Sequence, residues 1–480
     1  MKKHQIIPLI TGYISGVLLV TPVRADSNQT GNVEKPNVIL ILSDDHSAPF
    51  LGCYGNKDLK TPNIDRLASE GILFKKAYTT APQCVPSRSS ILTGRNVLDV
   101  QMLRFSAPLD KEIVTFPEIF RKSGYYTGIC GRSYHLDGSG NKPAETIEAF
   151  REFQMVTFEK RVDYLRTGSD EKVISQVKEF LDLVPGKSPF CLWINYSDPH
   201  RIFNAKEYEP YPDKIHLPEL FPDTKLLRQD LSGYMGEVQR LDERIGVLIA
   251  ELEGRNLLDN SLLVFMGDNG GALLRGKGTL YDLGIHVPLI VRWPGKIKPG
   301  RVSGILVSGE DIAPTLLEAA GFNPDEKMTG ISFLRTLAGE ERDSREYVFA
   351  VRGAHGSGLP GTSSAFDLSR LVFNKKFKLI YNPLFILPYH PVDFAGLPFW
   401  NDLIERNKNE ELAPMFSGTY IFTSQRPIFE LYDLEKDPDE FINLSGKEEY
   451  REVEHQMKSV LHKWMIRYRD VVPLPVPPGG

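Results

Sequence analysis

Four apolar runs in this 480-residue chain end in residues suited to chemistry. "PNVILILSDDH" leads into Ser43, Asp44, Asp45 and His46. "YYTGICG" leads to Arg132 and His135, and "FCLWINY" to Asp198 and His200. "SLLVFMG" leads to Asp268 and Asn269, with Lys277 in the glycine-rich loop beyond. Each pattern alone is ordinary, since paired aspartates cap helices and line turns. Together Asp44, Asp45, Asp268 and Asn269 offer hard oxygen donors that suit Ca²⁺ or Mg²⁺. Arg88, Arg132, His135, His200 and Lys277 suit anion binding and proton transfer. Cations beside carboxylates around one hard metal describe a site for a tetrahedral oxyanion.

The stretch "APQCVPSRSSILTGRN", residues 81 to 96, adds a thiol. The chain holds four cysteines, Cys53, Cys84, Cys130 and Cys191, with no C-x-x-C pair. Neither a zinc site nor a disulfide framework is indicated. Cys130 and Cys191 sit in apolar runs and read as small buried hydrophobes. Cys84 instead lies among polar residues, directly before a helix that starts at Pro86. A helix start presents free N–H groups that favour an anion. Three readings compete for Cys84: a structural residue, a thiolate nucleophile helped by Arg88, or a precursor converted into another group.

The elements that position these residues follow from apolar periodicity. Val38 to Leu42 is long enough for a buried parallel strand. Further runs near 128, 193, 264 and 290 alternate with helical stretches, including 230 to 256, which stops at Gly254. Alternating strands and helices predict a large α/β domain with a mostly parallel sheet. Ligands of such sheets bind beyond the carboxyl ends of the strands, where all four clusters fall. After about residue 350, "RLVFNKKFKLIYN" and "FELYDLEKDPDEFINL" read as antiparallel strands, followed by a helix from about Glu448 to Arg469. The expected organisation is a leader over 1–25, a catalytic α/β domain over 26–350 and a smaller α+β domain over 351–480.

Lys2 and Lys3 precede the apolar run from Ile6 to Val20, and Ala25 offers a small exit residue. This pattern predicts a secretory signal peptide, and export to the periplasm or the medium without stable membrane insertion. The run is short for a membrane span, and no cysteine near the exit supports a lipid anchor. The net charge of -5 is spread over mixed charges without a basic block, which argues against nucleic acid as the main partner. "GSGLPG", residues 356 to 361, spells a dinucleotide motif, but Pro360 denies it the helix it needs. The chain has no G-x-S-x-G elbow and no H-E-x-x-H helix.

"CVPSRSSILTGR" is similar to the signature of type I sulfatases, C-x-P-S-R followed by L-T-G-R. "GYYTGICGRSYH", Gly124 to His135, resembles the second signature of that family, and Asp44, Asp45, Asp268 and Asn269 match its metal pattern. The resemblance spans essentially the whole mature chain. It implies the alkaline-phosphatase-like fold, a Ca²⁺ site and oxidation of Cys84 to formylglycine (3-oxoalanine) by a maturation enzyme during synthesis. The implied mechanism hydrates the aldehyde to a diol. One hydroxyl attacks the sulfur, with Asp268 or its neighbour taking the proton, and the other later expels sulfate. Arg88 and Lys277 stabilise the sulfuryl oxygens, while His200, assisted by His135, protonates the leaving group.

Arg132 departs from the lysine usual in that signature, and an extra residue separates it from His135. An arginine binds oxyanions but stays protonated, which moves the acid role to His200 or Lys277. "YSDPHR" and residues 382 to 404 look most like the heparan N-sulfatase branch, whereas Lys277 fits the O-sulfatases. The implied substrate is a sulfated glycan, a glycosaminoglycan such as heparan sulfate, with N- and O-sulfate both open. Arg352, His355 and Trp400 are expected substrate contacts. The rival readings are a metal-dependent phosphoesterase of the same architecture and a catalytically silent glycan-binding protein.

Overall fold

In the computed structural model the described residues are 35–103, 108–133, 143–153, 155, 158–355, 359–423 and 425–475. The leader expected over 1–25 and the histidine at 135 lie outside them. Fourteen strands are assigned among the described residues. In chain order they begin with β1 (Asn37–Ser43), β2 (Ile72–Phe74), β3 (Ala77–Tyr78), β4 (Tyr126–Gly131) and β5 (Tyr164–Leu165). Next come β6 (Phe190–Asn195), β7 (Ser261–Gly267), β8 (Leu289–Arg292), β9 (Arg301–Ser303) and β10 (Val307–Ser308). The last are β11 (Val348–Val351), β12 (Arg370–Phe373), β13 (Phe377–Tyr381) and β14 (Phe429–Asp433).

Eight strands form one sheet in the order β5-β4-β6-β1-β7-β8-β2-β9. β1 lies at its centre, parallel to β6 on one side and to β7 on the other. Only β8 runs against its neighbours β7 and β2. The continuous apolar runs have a simple cause, because both faces of the sheet are covered. Ile39, Ile41, Leu192, Ile194, Leu263 and Phe265 enter the core on one face. Val38, Leu40, Leu42, Trp193, Val264 and Met266 enter the core on the other. Cys130 and Cys191 are buried one on each face and unpaired, as small hydrophobes. Truncating a β1 side chain such as Leu40 to alanine would cost about 2–5 kcal/mol.

The helix expected over 230 to 256 spans Lys225–Gly254, started by Thr224, whose side chain accepts from the Leu227 N–H. β11 to β14 form a separate antiparallel sheet. One face packs Val372, Leu379 and Leu431 against Met457, Leu461 and Met465 of the Arg451–Arg467 helix. The other face packs Val348, Leu371 and Ile380 against Leu280, Tyr281 and Ile285, which follow Lys277 in the chain. The second sheet therefore supports the loop that carries a candidate site residue. Among the described residues, no helix is long and apolar enough to cross a membrane.

Candidate active site

The carboxyl ends of β1, β4, β6 and β7 are adjacent, which gathers the four clusters at one edge of the sheet. The Cys84–Thr93 helix enters beside them with every residue buried. Its sequence suits that position because its small polar side chains satisfy themselves: Ser89 Oγ donates to the Pro86 carbonyl, and Thr93 Oγ1 to that of Ser89. Gly94 ends the helix at φ +64°, where a Cβ would press to 2.9 Å from Met328 Sδ.

Cys84 is the first helical residue, and its Sγ lies 3.3 Å from Asp44 Oδ1 and 3.7 Å from Asp45 Oδ1. Arg88, one turn later and fully buried, donates from Nε to Asp268 Oδ2 at 2.8 Å and from Nη1 to Asn195 Oδ1 at 3.1 Å. Its Nη2 lies 3.2 Å from Asp44 Oδ2, and Arg132 Nη1 approaches the same oxygen at 3.1 Å. Lys277 Nζ donates to Asp45 Oδ2 at 2.9 Å and to Asp393 Oδ2 at 2.6 Å. Its loop depends on glycine twice. Gly278 sits at φ +82°, and a Cβ on Gly270 would fall 1.8 Å from the Leu283 carbonyl oxygen.

Asp45 occupies the left-handed region at φ 60°, a conformation that costs an L-residue about 1–2 kcal/mol. The surroundings fix it there. Its N–H donates to Asp268 Oδ1, its carbonyl accepts from Tyr234 Oη, and its Oδ1 accepts from Asn269 Nδ2. Asn269 spends Nδ2 on Asp45 and on the Gly270 carbonyl, so its Oδ1 is left buried without a hydrogen-bond partner. Ligand atoms of Asp44, Cys84 and Asp268 lie within 4.8 Å of one another, as do those of Asp44, Asp45 and His200.

Electrostatics follow from packing these acids out of water. Burial, reinforced by Asp44, pushes the Asp268 carboxyl up to about 7. Burial also pushes Asp45 up to about 6, although Lys277 opposes the shift. The Cys84 thiol is held well above its ordinary value by burial and by Asp44, which disfavours the thiolate reading. Burial and Lys277 push His200 down to about 3. Its Nδ1 faces the Arg201 carbonyl oxygen, an acceptor only, so Nδ1 carries the proton of the neutral ring. Nε2 then accepts from Arg132 Nη2 at 3.4 Å. Lys277 is held well above its ordinary value: burial works against the charge, and Asp45, Cys84, Asp393 and Asp44 together outweigh it.

The structure thus assembles Cys84, Arg88, Arg132, His200, Lys277, Asp44, Asp45, Asp268 and Asn269. His46 is turned away, with its ring nitrogens on Ser43 Oγ and the Phe50 carbonyl. Arg352 is buried and donates from Nη2 to the Ser363 and Ser364 carbonyls. His355 feels the charge of Lys277 and Arg352 and, with burial the largest cause, is pushed down to about 3. Trp400 departs from expectation. It is 7% exposed and packs on Phe422 and Phe394 in the core, because its helix turns the apolar face inward.

Three contributors escaped the sequence reading. Asn195 is the one polar residue at the end of an apolar strand, and that break in the run was its signal. Gln83 ties the residue before Cys84 to a distant segment, donating from Nε2 to the Ala354 carbonyl at 3.0 Å and accepting from the Gly353 N–H at 3.3 Å. Asp393 comes from a long irregular stretch at φ 65°, and nothing in its neighbours' types announces it.

The family model described as Sulfatase matches residues 36–322. An ulvan-active sulfatase of Formosa agariphila is 29% identical over 453 residues, covering 92% of this chain and 82% of that protein. Human N-sulphoglucosamine sulphohydrolase is 27% identical over 478 residues, covering 90% of each chain. A solved protein in complex with its substrate D-glucosamine-2-N,6-O-disulfate shares the fold, with a TM-score of 0.68 and 19% identity over 92% of this chain and all of that one.

Proposed function

The chain belongs to the sulfatase family, and from that premise we propose that it hydrolyses sulfate from a sulfated glycan, with Cys84 matured to formylglycine as the acceptor. The relatives' printed activities support a glycosaminoglycan-like substrate. The observation that carries the reading is Cys84 at the head of a buried helix, 3.3 Å from Asp44, beside an Arg88 clamped between Asp44 and Asp268. Converted to the aldehyde and hydrated, residue 84 supplies one hydroxyl that accepts the sulfuryl group and a second that expels sulfate.

The residues present fit a hard divalent cation, Ca²⁺ or Mg²⁺. Asp44, Asp45 and Asp268 are buried oxygen donors, Asn269 Oδ1 is buried without a hydrogen bond, and the raised Asp45 and Asp268 carboxyls favour added positive charge. When bound, such a cation supplies Lewis acidity and charge for the transfer.

The protein's own groups divide the remaining tasks. Arg88 and Lys277 hold fixed positive charge where sulfuryl oxygens would lie. Asp268 is poised to take the proton of the attacking hydroxyl. Arg132 binds an oxyanion and stays charged. His200 Nε2 is unprotonated in the neutral ring; an entering anion raises its basicity, so it takes up a proton from water and delivers that proton to the departing oxygen or nitrogen. His135 assists, and His355 with Arg352 borders the substrate. The leader over 1–25 supports export, and a maturation enzyme acting on Cys84 belongs to the same reading, as does a domain boundary near residue 350.

A metal-dependent phosphoesterase would need an unmodified serine or threonine and more histidine ligands, and His46 is turned away. The test is peptide mass spectrometry across residues 81 to 95 together with hydrolysis of matched aryl sulfate and aryl phosphate. The expected result is loss of the thiol and preferential sulfate release. Activity on sulfated sugars by protein that retains a free thiol overturns the reading.

A further inference from the structure

Beside the charged cluster lies a groove of about 330 Å³ that none of the steps above employs. Its volume falls within the range of small-molecule sites. Ile202, 88% exposed, and the rings of Phe203 and Phe399 give it an apolar lining. Arg201 lines it too, but as a wall. Its guanidinium lies 4.1 Å over the Phe203 ring and is already engaged by Asp230 and the Ala272 carbonyl. An anion finds little free charge there. A pyranose ring, with an apolar C–H face and polar edges, matches such a lining.

Asp393 joins this groove to the reaction centre. It lines the groove, and its Oδ2 accepts from the same Lys277 ammonium that holds Asp45. No hydrogen bond to its Oδ1 is formed by any described residue, and the side chain is 24% exposed. An ionised carboxylate oxygen with unused lone pairs is an acceptor only, so it selects a hydroxyl or N–H donor.

Resting on the sulfatase reading, we propose that Asp393 is a specificity-determining residue. Its Oδ1 accepts a hydrogen bond from a hydroxyl or N–H of the sulfated sugar, while Ile202 and Phe203 receive the apolar face of that ring. A segment linking two strands of the small antiparallel sheet thereby reads the sugar for a centre built on the large one.

The test is binding to the full-length protein with Cys84 unconverted, so that it does not depend on turnover. Calorimetry compares D-glucosamine-2-N,6-O-disulfate with inorganic sulfate for wild type, Asp393→Asn and Ile202→Ser. The wild type is expected to prefer the sugar. Asp393→Asn removes a negative charge beside Lys277, so inorganic sulfate binds equally or more tightly, while the sugar binds about 100-fold more weakly. Ile202→Ser, a surface change, reduces the preference about tenfold. A parallel loss of both ligands in Asp393→Asn assigns the residue to holding Lys277 alone and overturns the proposal, as does a wild type without preference for the sugar. Failure of the sulfatase reading looks different: the preference holds, yet matured protein releases no sulfate.

Discussion

Two clusters of buried charge stand at neighbouring strand ends, and they are built from the same residue types. Past β6, Asp170, Asp198, Glu237, Arg240 and Arg244 form a closed network. Asp198 is gripped by Arg240 through both oxygens and by Arg244 at 2.6 Å, and Asp170 accepts two backbone N–H groups besides. Glu237 caps the Asn204 and Ala205 N–H groups. Past β1 and β7, Asp44, Asp45, Asp268 and Asn269 leave an amide oxygen without a hydrogen bond, and burial, which also raises Asp170 and Asp198, drives two carboxyls here to about 6 and 7. Saturation marks a scaffold, because each carboxylate oxygen of Asp170, Asp198 and Glu237 is answered from within the chain. A buried surplus of oxygen, maintained at a cost in stability, marks a place where something else binds.

Substitution should separate the two clusters most sharply in turnover. Cys84→Ala is expected to lower sulfate release by about 10⁴-fold or more, whereas Arg240→Gln keeps kcat/KM within about tenfold of wild type. Equal inactivation by both would erase the distinction.

Next in size are stability and cation affinity, which should move in opposite clusters. Opening the saturated network with Arg240→Gln is expected to cost about 3 kcal/mol in urea denaturation without changing Ca²⁺ affinity by calorimetry. Asn269→Ala is expected to weaken Ca²⁺ binding by about 10–100-fold with little loss of stability.

The smallest effect is a slope with pH. In metal-free protein Asp45 and Asp268 hold protons up to about 6 and 7, whereas in the unfolded chain they lose them near their ordinary value of 3.8. The folded state therefore binds more protons across that window, and stability falls as pH rises through it. The expected slope is up to about 1.4 kcal/mol per pH unit for each group. Thermal melts in EDTA from pH 5 to 8 should show the decline, and saturating Ca²⁺ should flatten it. A flat metal-free profile would remove the strained carboxylates from the comparison.

Much of this site was legible because it hangs on the most regular part of the fold. Parallel strands buried on both faces write themselves as apolar runs, and the residue after each run must stand at the carboxyl edge, so Asp44, Arg132, His200 and Asp268 declared their neighbourhood in advance. The saturated network was invisible for the converse reason: Asp198 looked like a site residue until Arg240 and Arg244, forty residues away on an amphipathic helix, closed over it. Asp393 depends on a loop whose path is set by packing on another sheet, and local sequence carries no record of that. Trp400 misled because aromatic composition near a loop does not reveal which way its helix faces.

Gln83 gives the chain a timetable. The side chain next to the sulfur is stitched to a segment about 270 residues downstream, and the helix that begins at Cys84 ends up with no exposed residue. If the sulfur is reworked as proposed, the catalyst would have to reach it before that later segment packs against Gln83 and the helix is covered. On the proposed reading, a copy that folded with its thiol intact would keep that thiol out of reach, so folding and maturation would compete for the same chain.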